Sequence, residues 1–305
     1  MVAMTNADDV RKFLTSRRSR ITPEEAGLPA WGGNRRVTGL RREEVAMLAG
    51  MSIDYYIRLE RGNLSGASDS VLESLARALK LDDAETAHLF DLAHAAATPA
   101  RVRRRRSPLT VRPNVQQVLD AITAAPAWVR NDRGDVLATN ELGRALYLDL
   151  MADGGAPPNN CRFTFLNPRA RAFYADWERA ADDIVAILRS AAGKNPYDKD
   201  LTDLIGELST RSEEFRTRWA RHDVKYHRTG RKRLHHPIVG DLDLSFEALE
   251  LPADPGLRIN VYTADPGTPS EDALKVLASW VATQRATERD PDSQAADRED
   301  DVSER

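Results

Sequence analysis

The sequence predicts a two-domain protein, with an all-α N-terminal domain over residues 8–97 and an α+β domain over residues 114–282. Three observations carry that division. Residues 8–97 read as a run of short helices, two of them meeting at a glycine turn. Residues 98–113 hold three prolines and the basic cluster Arg101–Arg106 without an apolar period, which marks a linker. Residues 114–282 mix strand and helix patterns, as in a sheet with helices layered on it. From residue 283 to 305 nearly every side chain is charged, small or polar, so a disordered acidic tail is expected there.

Within the first domain the informative run is Leu40 to Gly62. Ala46 is small enough for two helices to approach closely, and Gly50 suits a sharp turn because a left-handed backbone costs it little. Ser52 is a good N-cap for the next helix and Gly62 a good stop. Val45, Ala49, Met51, Tyr56 and Leu59 then fall where two crossing helices share a core. Such spacing predicts a helix-turn-helix.

Charge singles out the same region. The whole chain balances 44 basic against 47 acidic residues, yet between Val10 and Gly62 basic side chains clearly outnumber acids. Almost all of them are arginine, the better bidentate partner for phosphate and guanine. A basic segment in a mildly acidic protein points to a polyanion partner for that segment alone. On the second helix, Ser52, Ile53, Asp54, Tyr55 and Arg58 occupy the face that can enter a major groove. Arg58 suits guanine, Asp54 cytosine and Ile53 a thymine methyl. Arg42 lies within reach of phosphate or base, while Arg17, Arg18, Arg35, Arg36, Arg41 and Arg61 read as phosphate neutralisers. The structural alternative is a pair of packed helices whose arginines are merely solvated.

In the second domain, Ala127–Arg130 and Val136–Thr139 flank a polar glycine-containing turn and predict a hairpin. Asn140 is expected to cap a helix through Tyr147, residues 169–192 carry apolar side chains at helical spacing, and a helix pair follows through Trp219. Leu242 and Leu244, then Ile259, Val261 and Tyr262, predict further antiparallel strands, and residues 270–282 a closing helix.

The first domain resembles the Cro/repressor-type (Xre) helix-turn-helix family, whose motif ends in Leu-Glu-x-Gly as Leu59–Gly62 does here. More narrowly it is similar to the actinobacterial MmyB-like regulators. The matching stretches are Phe13–Arg18, Thr22–Pro29, Arg35–Ala46 and Asp54–Tyr56. Trp31-Gly32-Gly33-Asn34 departs from the pattern by loosening the basic run that often precedes Arg35. The resemblance implies a lambda-repressor-like fold, a double-stranded DNA partner and a homodimer reading two half-sites.

The second domain resembles that group's C-terminal half through Pro126–Val129, Val136–Asn140, Asp176–Glu178, Phe215–Val224, His236–Gly240 and Ala264–Gly267. What the resemblance implies is a PAS-like domain that holds a small apolar, fatty-acid-like effector, with no other cofactor. Trp128, Phe163, Phe165, Trp177 and Trp219 are candidates to line such a site, and Asn140, Arg189 or His236 to fix a head group. Each aromatic has an ordinary core reading beside the functional one.

Other classes find less support. No apolar run reaches eighteen residues and Met1–Asp9 lacks the form of a secretion signal, so neither membrane nor export is expected. The lone Cys161 fits a reducing cytoplasm. His222, His227, His235 and His236 lack metal-ligand spacing and lie in or beside the basic run Lys225–Arg233, which reads as a loop, so no metal is expected. No motif for nucleophilic, phosphate-binding or zinc-dependent catalysis is found, so an enzyme is not expected. Two competing readings of residues 114–281 are a protein-interaction or dimerisation module and an enzyme tethered to DNA.

Overall fold

The computed structural model describes residues 6–28, 37, 39–97, 110–152, 154, 157–223 and 229–289. It opens with helices α1 (Asn6–Arg20), α2 (Arg42–Leu48), α3 (Ile53–Glu60), α4 (Asp69–Ala78) and α5 (Asp83–Ala97). Val10, Phe13 and Leu14 recur at helical spacing along α1 and meet Leu40, Val45, Tyr56, Leu59, Leu72, Leu75, Leu89 and Leu92 in one core. The turn between α2 and α3 forms as expected. Gly50 takes φ 65°, Met51 N donates to Ala46 O at 2.9 Å, and Ser52 Oγ accepts from Tyr55 N at 3.2 Å.

Helix α6 (Pro113–Ala121) leads into strands β1 (Ala127–Asn131) and β2 (Val136–Thr139), the expected hairpin. Asn140 caps α7 (Glu141–Leu146), which is followed by α8 (Leu148–Met151), α9 (Asn160–Leu166) and α10 (Arg169–Phe173). Then come α11 (Trp177–Lys194), α12 (Lys199–Arg211) and α13 (Glu213–Ala220). Strands β3 (Thr229–His236), β4 (Gly240–Glu250) and β5 (Leu257–Thr263) precede the last helix, α14 (Pro269–Arg289). All pairings are antiparallel, in the order β2-β1-β5-β4-β3. Strand alternation gives the sheet two inner surfaces. On one, Ala127, Val129, Leu257 and Ile259 pack with Val115 and Leu119 of α6.

The protein is therefore an all-α helix-turn-helix region followed by an α+β region. In space the chain divides into two compact units. One takes the described residues of Met1–Arg106 and Glu178–His227, the other those of Ser107–Trp177 and Arg228–Arg305. Helices α11 to α13 thus join the N-terminal helices, whereas the sequence assigns residues 178–223 to the second domain.

Four local expectations change. Pro113 does not close the linker but occupies the first turn of α6, where its missing N–H costs nothing; most of 98–113 lies outside the described residues. Residues 169–192 are two helices, because Tyr174 bridges to Leu234 and Ala175 N donates to Arg233 O at 3.1 Å, breaking the helical ladder. The expected loop at 225–233 is a strand from Thr229 onward, paired along β4. Finally, α14 continues through residues 283–289, which are rich in helix formers, so the acidic tail does not begin at Thr283; residues 290–305 lie outside the described residues.

Gly62 shows how tightly α3 is stopped. Its φ is +100° and an added Cβ would sit 2.4 Å from Ala7 O, whereas a Cβ on Gly50 meets open space. We predict that Gly62→Ala costs about 2–4 kcal/mol in urea unfolding, combining a left-handed backbone with a steric clash. Gly50→Ala should cost only about 1–2 kcal/mol, from the backbone alone.

Candidate nucleic-acid interface

The inner side of α3 is built around a buried carboxylate. Glu60, 2% exposed, accepts from Arg18 Nε of α1 at 2.7 Å, from Arg42 Nε of α2, and from the Tyr56 hydroxyl at 3.2 Å. Burial opposes ionisation of Glu60, but the bonds from Arg18 and Arg42 outweigh it and hold the carboxyl below its usual value. Desolvation and the adjacent Glu60 charge push the Tyr56 hydroxyl well up, so it stays a donor. One anion thus ties three helices together and fixes the rotation of α3.

That rotation turns the other side outward. Ser52, Ile53, Asp54, Arg58 and Arg61 are exposed, Ile53 at 41% despite its apolar side chain. The Arg58 guanidinium lies over the half-buried Tyr55 ring at 4.7 Å, which limits its freedom while leaving its edge exposed. Arg41 is exposed beside Glu43 at 3.4 Å, and half-exposed Arg42 reaches both Glu60 and the surface. Arg35 and Arg36 lie outside the described residues.

Two arginines expected on phosphate are elsewhere. Arg17 is 2% exposed; its Nη2 donates to His222 O at 2.5 Å and its Nη1 lies 3.2 Å from Glu85. Arg18 spends its donors on Glu60 and on Leu40 O at 2.8 Å. Both hold helices together inside the first unit and neither is available to a phosphate. Conversely, Glu60 carries a role that the sequence reading passed over; its place four residues after Tyr56, on the buried side of α3, was the available signal.

The same unit contains a buried cationic cluster. Arg189 stacks on Trp219 at 3.8 Å, donates to Trp219 O, and lies 3.0 Å from His222 Nδ1. His88 packs edge-on against Phe13 at 5.1 Å, close to Gly193. Burial and then the neighbouring Arg189 push both His88 and His222 down to about 3, so both are neutral at pH 7.

The eight candidate effector residues divide between the two units. Arg189 and Trp219 belong to the first unit and the other six to the second. Asn140 is fully engaged: its Oδ1 accepts from Ala127 N and Gly143 N, and its Nδ2 donates to Ile122 O and Ala125 O, all within 2.9 Å. His236 is likewise committed, with Nε2 2.9 Å from Ala145 O and Nδ1 accepting from Ile238 N. Neither is free to fix a head group. Phe165 packs on Trp177, whose Nε1 donates to Thr164 O at 3.0 Å beneath Arg171. Trp128 stacks on Tyr147 and Phe163 meets Phe173, so these two do face the aromatic interior of the sheet. A separate cavity of about 460 Å³ opens between Ile122, Asn140, Glu141 and Leu142 and the α14 residues Ala278, Val281 and Arg285. Among the described residues no three histidine, cysteine or carboxylate side chains gather as a metal site, and no helix is long and apolar enough to cross a membrane.

A helix-turn-helix with its outward face exposed, joined to an α+β sensor-like region, defines a DNA-binding transcription regulator. Residues 11–89 match the family described as "Helix-turn-helix domain", and residues 111–277 match "MmyB-like transcription regulator ligand binding domain". The second match covers more than half of the chain, so the protein belongs to the MmyB-like transcription regulators. No curated protein matches it.

Two measurements probe this packing. Glu60→Gln should destabilise by about 1–3 kcal/mol, the half-exposed Arg42 bond contributing least because solvent screens it. Acid should destabilise too. Histidines with folded values near 3 rather than 6.5 bind protons only on unfolding, so stability falls as pH drops below 6.5. The lowered Glu60 value acts in the same direction at still lower pH. At pH 5, calorimetry in buffers of different ionisation enthalpy should detect uptake of about two protons from this pair on unfolding.

Proposed function

We propose that this protein is a cytoplasmic one-component regulator that binds a pseudo-palindromic operator as a homodimer and responds to a small apolar, fatty-acid-like effector in its C-terminal region. The observation that carries the DNA half is the exposure of Ser52, Ile53, Asp54 and Arg58 on a helix whose opposite side is locked by Glu60. Arg58 donates to guanine in the major groove, Asp54 accepts from cytosine, and Ile53 touches a thymine methyl. Arg41, Arg42 and Arg61 neutralise phosphate and set the register.

The effector half draws on the ligand-binding family and on chain path. Helices α11 to α13 fall within the matched ligand-binding residues, yet they pack in the unit that holds α1 and α5. An effector that prefers one arrangement of this segment by about 1–3 kcal/mol would alter the mobility of the DNA-reading helices. A lipid carried through purification and seen by native mass spectrometry supports this reading, and a C-terminal region empty under all conditions favours an interaction module.

For the DNA half we predict that Arg58→Ala weakens binding to the cognate operator by about 1–3 kcal/mol and relaxes preference at one base pair. Arg61→Ala should weaken cognate and random DNA alike and lower the salt slope by about 1. Titrations of both variants on both DNAs at several salt concentrations check this; identical behaviour of the two would contradict the assignment.

A further inference from the structure

In the first unit, α11 and α13 meet α1 and α5 around two histidines. His222 follows the last turn of α13 with φ 57°, the left-handed backbone usually left to glycine. There it serves two arginines. Its carbonyl accepts from Arg17 Nη2 of α1 at 2.5 Å, and its ring Nδ1 lies 3.0 Å from Arg189 Nη1 of α11. A guanidinium can only donate, so His222 Nδ1 must accept and carries no proton. His88 of α5 is 4% exposed and lies between Phe13 of α1 and Gly193 of α11. A Cβ on Gly193 would sit 2.7 Å from His88 Nδ1, so the bare backbone of α11 closes over that nitrogen. Among the described residues His88 Nδ1 has no hydrogen-bond partner. A cationic ring at either position would carry an Nδ1 proton with no acceptor. Burial, followed by the charge of Arg189, holds both rings far below the usual histidine range.

We propose that His88 and His222 form a proton-operated latch, whose protonation in mild acid releases α11 to α13 from α1 and α5. The cations that face the rings, Lys12, Arg17, Arg20, Arg189 and Lys194, all oppose a further positive charge. The nearby carboxylates are committed to guanidinium groups. Glu85 and Asp223 lie 3.2 and 3.9 Å from Arg17, which Asp82 also faces, and Asp223 pairs with Arg20 at 2.6 Å. Once α11 lifts, water reaches both rings and they take protons at their ordinary value. Docking lowers that value, so its stability is complete above the free value and is lost as pH falls below it. Asp9 works the other way: burial raises its carboxyl against the pull of Arg189, so a proton there favours docking, one group against two. The device needs no ligand and stands whether or not the C-terminal region takes an effector.

The test is hydrogen exchange by mass spectrometry on the full-length protein without ligand. Protection factors, already corrected for intrinsic exchange, are compared at about pH 7.5 and about pH 5.5. One unit below the free value of 6.5, each histidine multiplies the released population by about tenfold. Amides of α11 and α13 should therefore lose protection by about a hundredfold, while those of α3, β4 and β5 keep theirs. His222→Asn keeps an acceptor and tolerates the left-handed backbone but does not titrate, so its loss should shrink to about tenfold. Equal protection of α11 and α13 at the two pH values overturns the latch. So does a parallel loss in α3, which assigns the histidines to the stability of the whole unit. An undiminished response in His222→Asn overturns it as well. Where that variant folds too poorly to measure, His88→Gln takes its place with the same expectation and the same contrary result.

Discussion

A single carboxylate organises the DNA-reading half of this protein. Glu60 sits at the end of α3, out of water, where it would be intolerable without the arginines of α1 and α2. Because those arginines come from different helices, the ion cluster sets not only the stability of the unit but the angle at which α3 is presented. Everything outward on that helix follows: the exposed Ile53, the uncovered Asp54, and Arg58 steadied over Tyr55. A base-reading surface must be held to a fraction of an ångström, and a helix of eight residues cannot supply that rigidity by itself.

The second organising fact is where the middle of the chain goes. Residues 178–223 belong by family to the ligand-binding region, but they pack with the helix-turn-helix unit through Arg17, Arg20, Arg189, His222 and Asp223. The Arg17 and Arg189 contacts with His222 are buried and costly to break halfway, whereas the Arg20–Asp223 pair is exposed. In the proposed function, this shared segment is what couples the effector to the DNA-binding region, with no need for a long-range wire.

Much of this was legible from the amino acids, because local chemistry decides it. Gly50, Ser52 and Gly62 mark the turn, cap and stop of the reading helix, and each does so in the structure. The polar turn at Asn131–Asp135 and the cap of Asn140 on Gly143 likewise include bonds between near neighbours. What escaped was non-local. Arginines look alike in sequence, and only a carboxylate 42 residues away shows that Arg18 is structural. Strand β3 is hidden by its consecutive basic residues Arg231, Lys232 and Arg233, and exists because β4 pairs with it. Asn140 and His236 have the chemistry of head-group ligands, but their bonding capacity is already used by backbone groups distant in sequence.

The central claim is that α3 reads base edges in the major groove. Methylation interference on the operator tests it most directly, since methyl groups at guanine N7 project into that groove and leave the minor groove untouched. The account predicts that N7 methylation at discrete guanines, repeated about one helical turn apart in two half-sites, abolishes binding. Binding that tolerates N7 methylation at every position would show that the helix does not lie where its exposed face suggests.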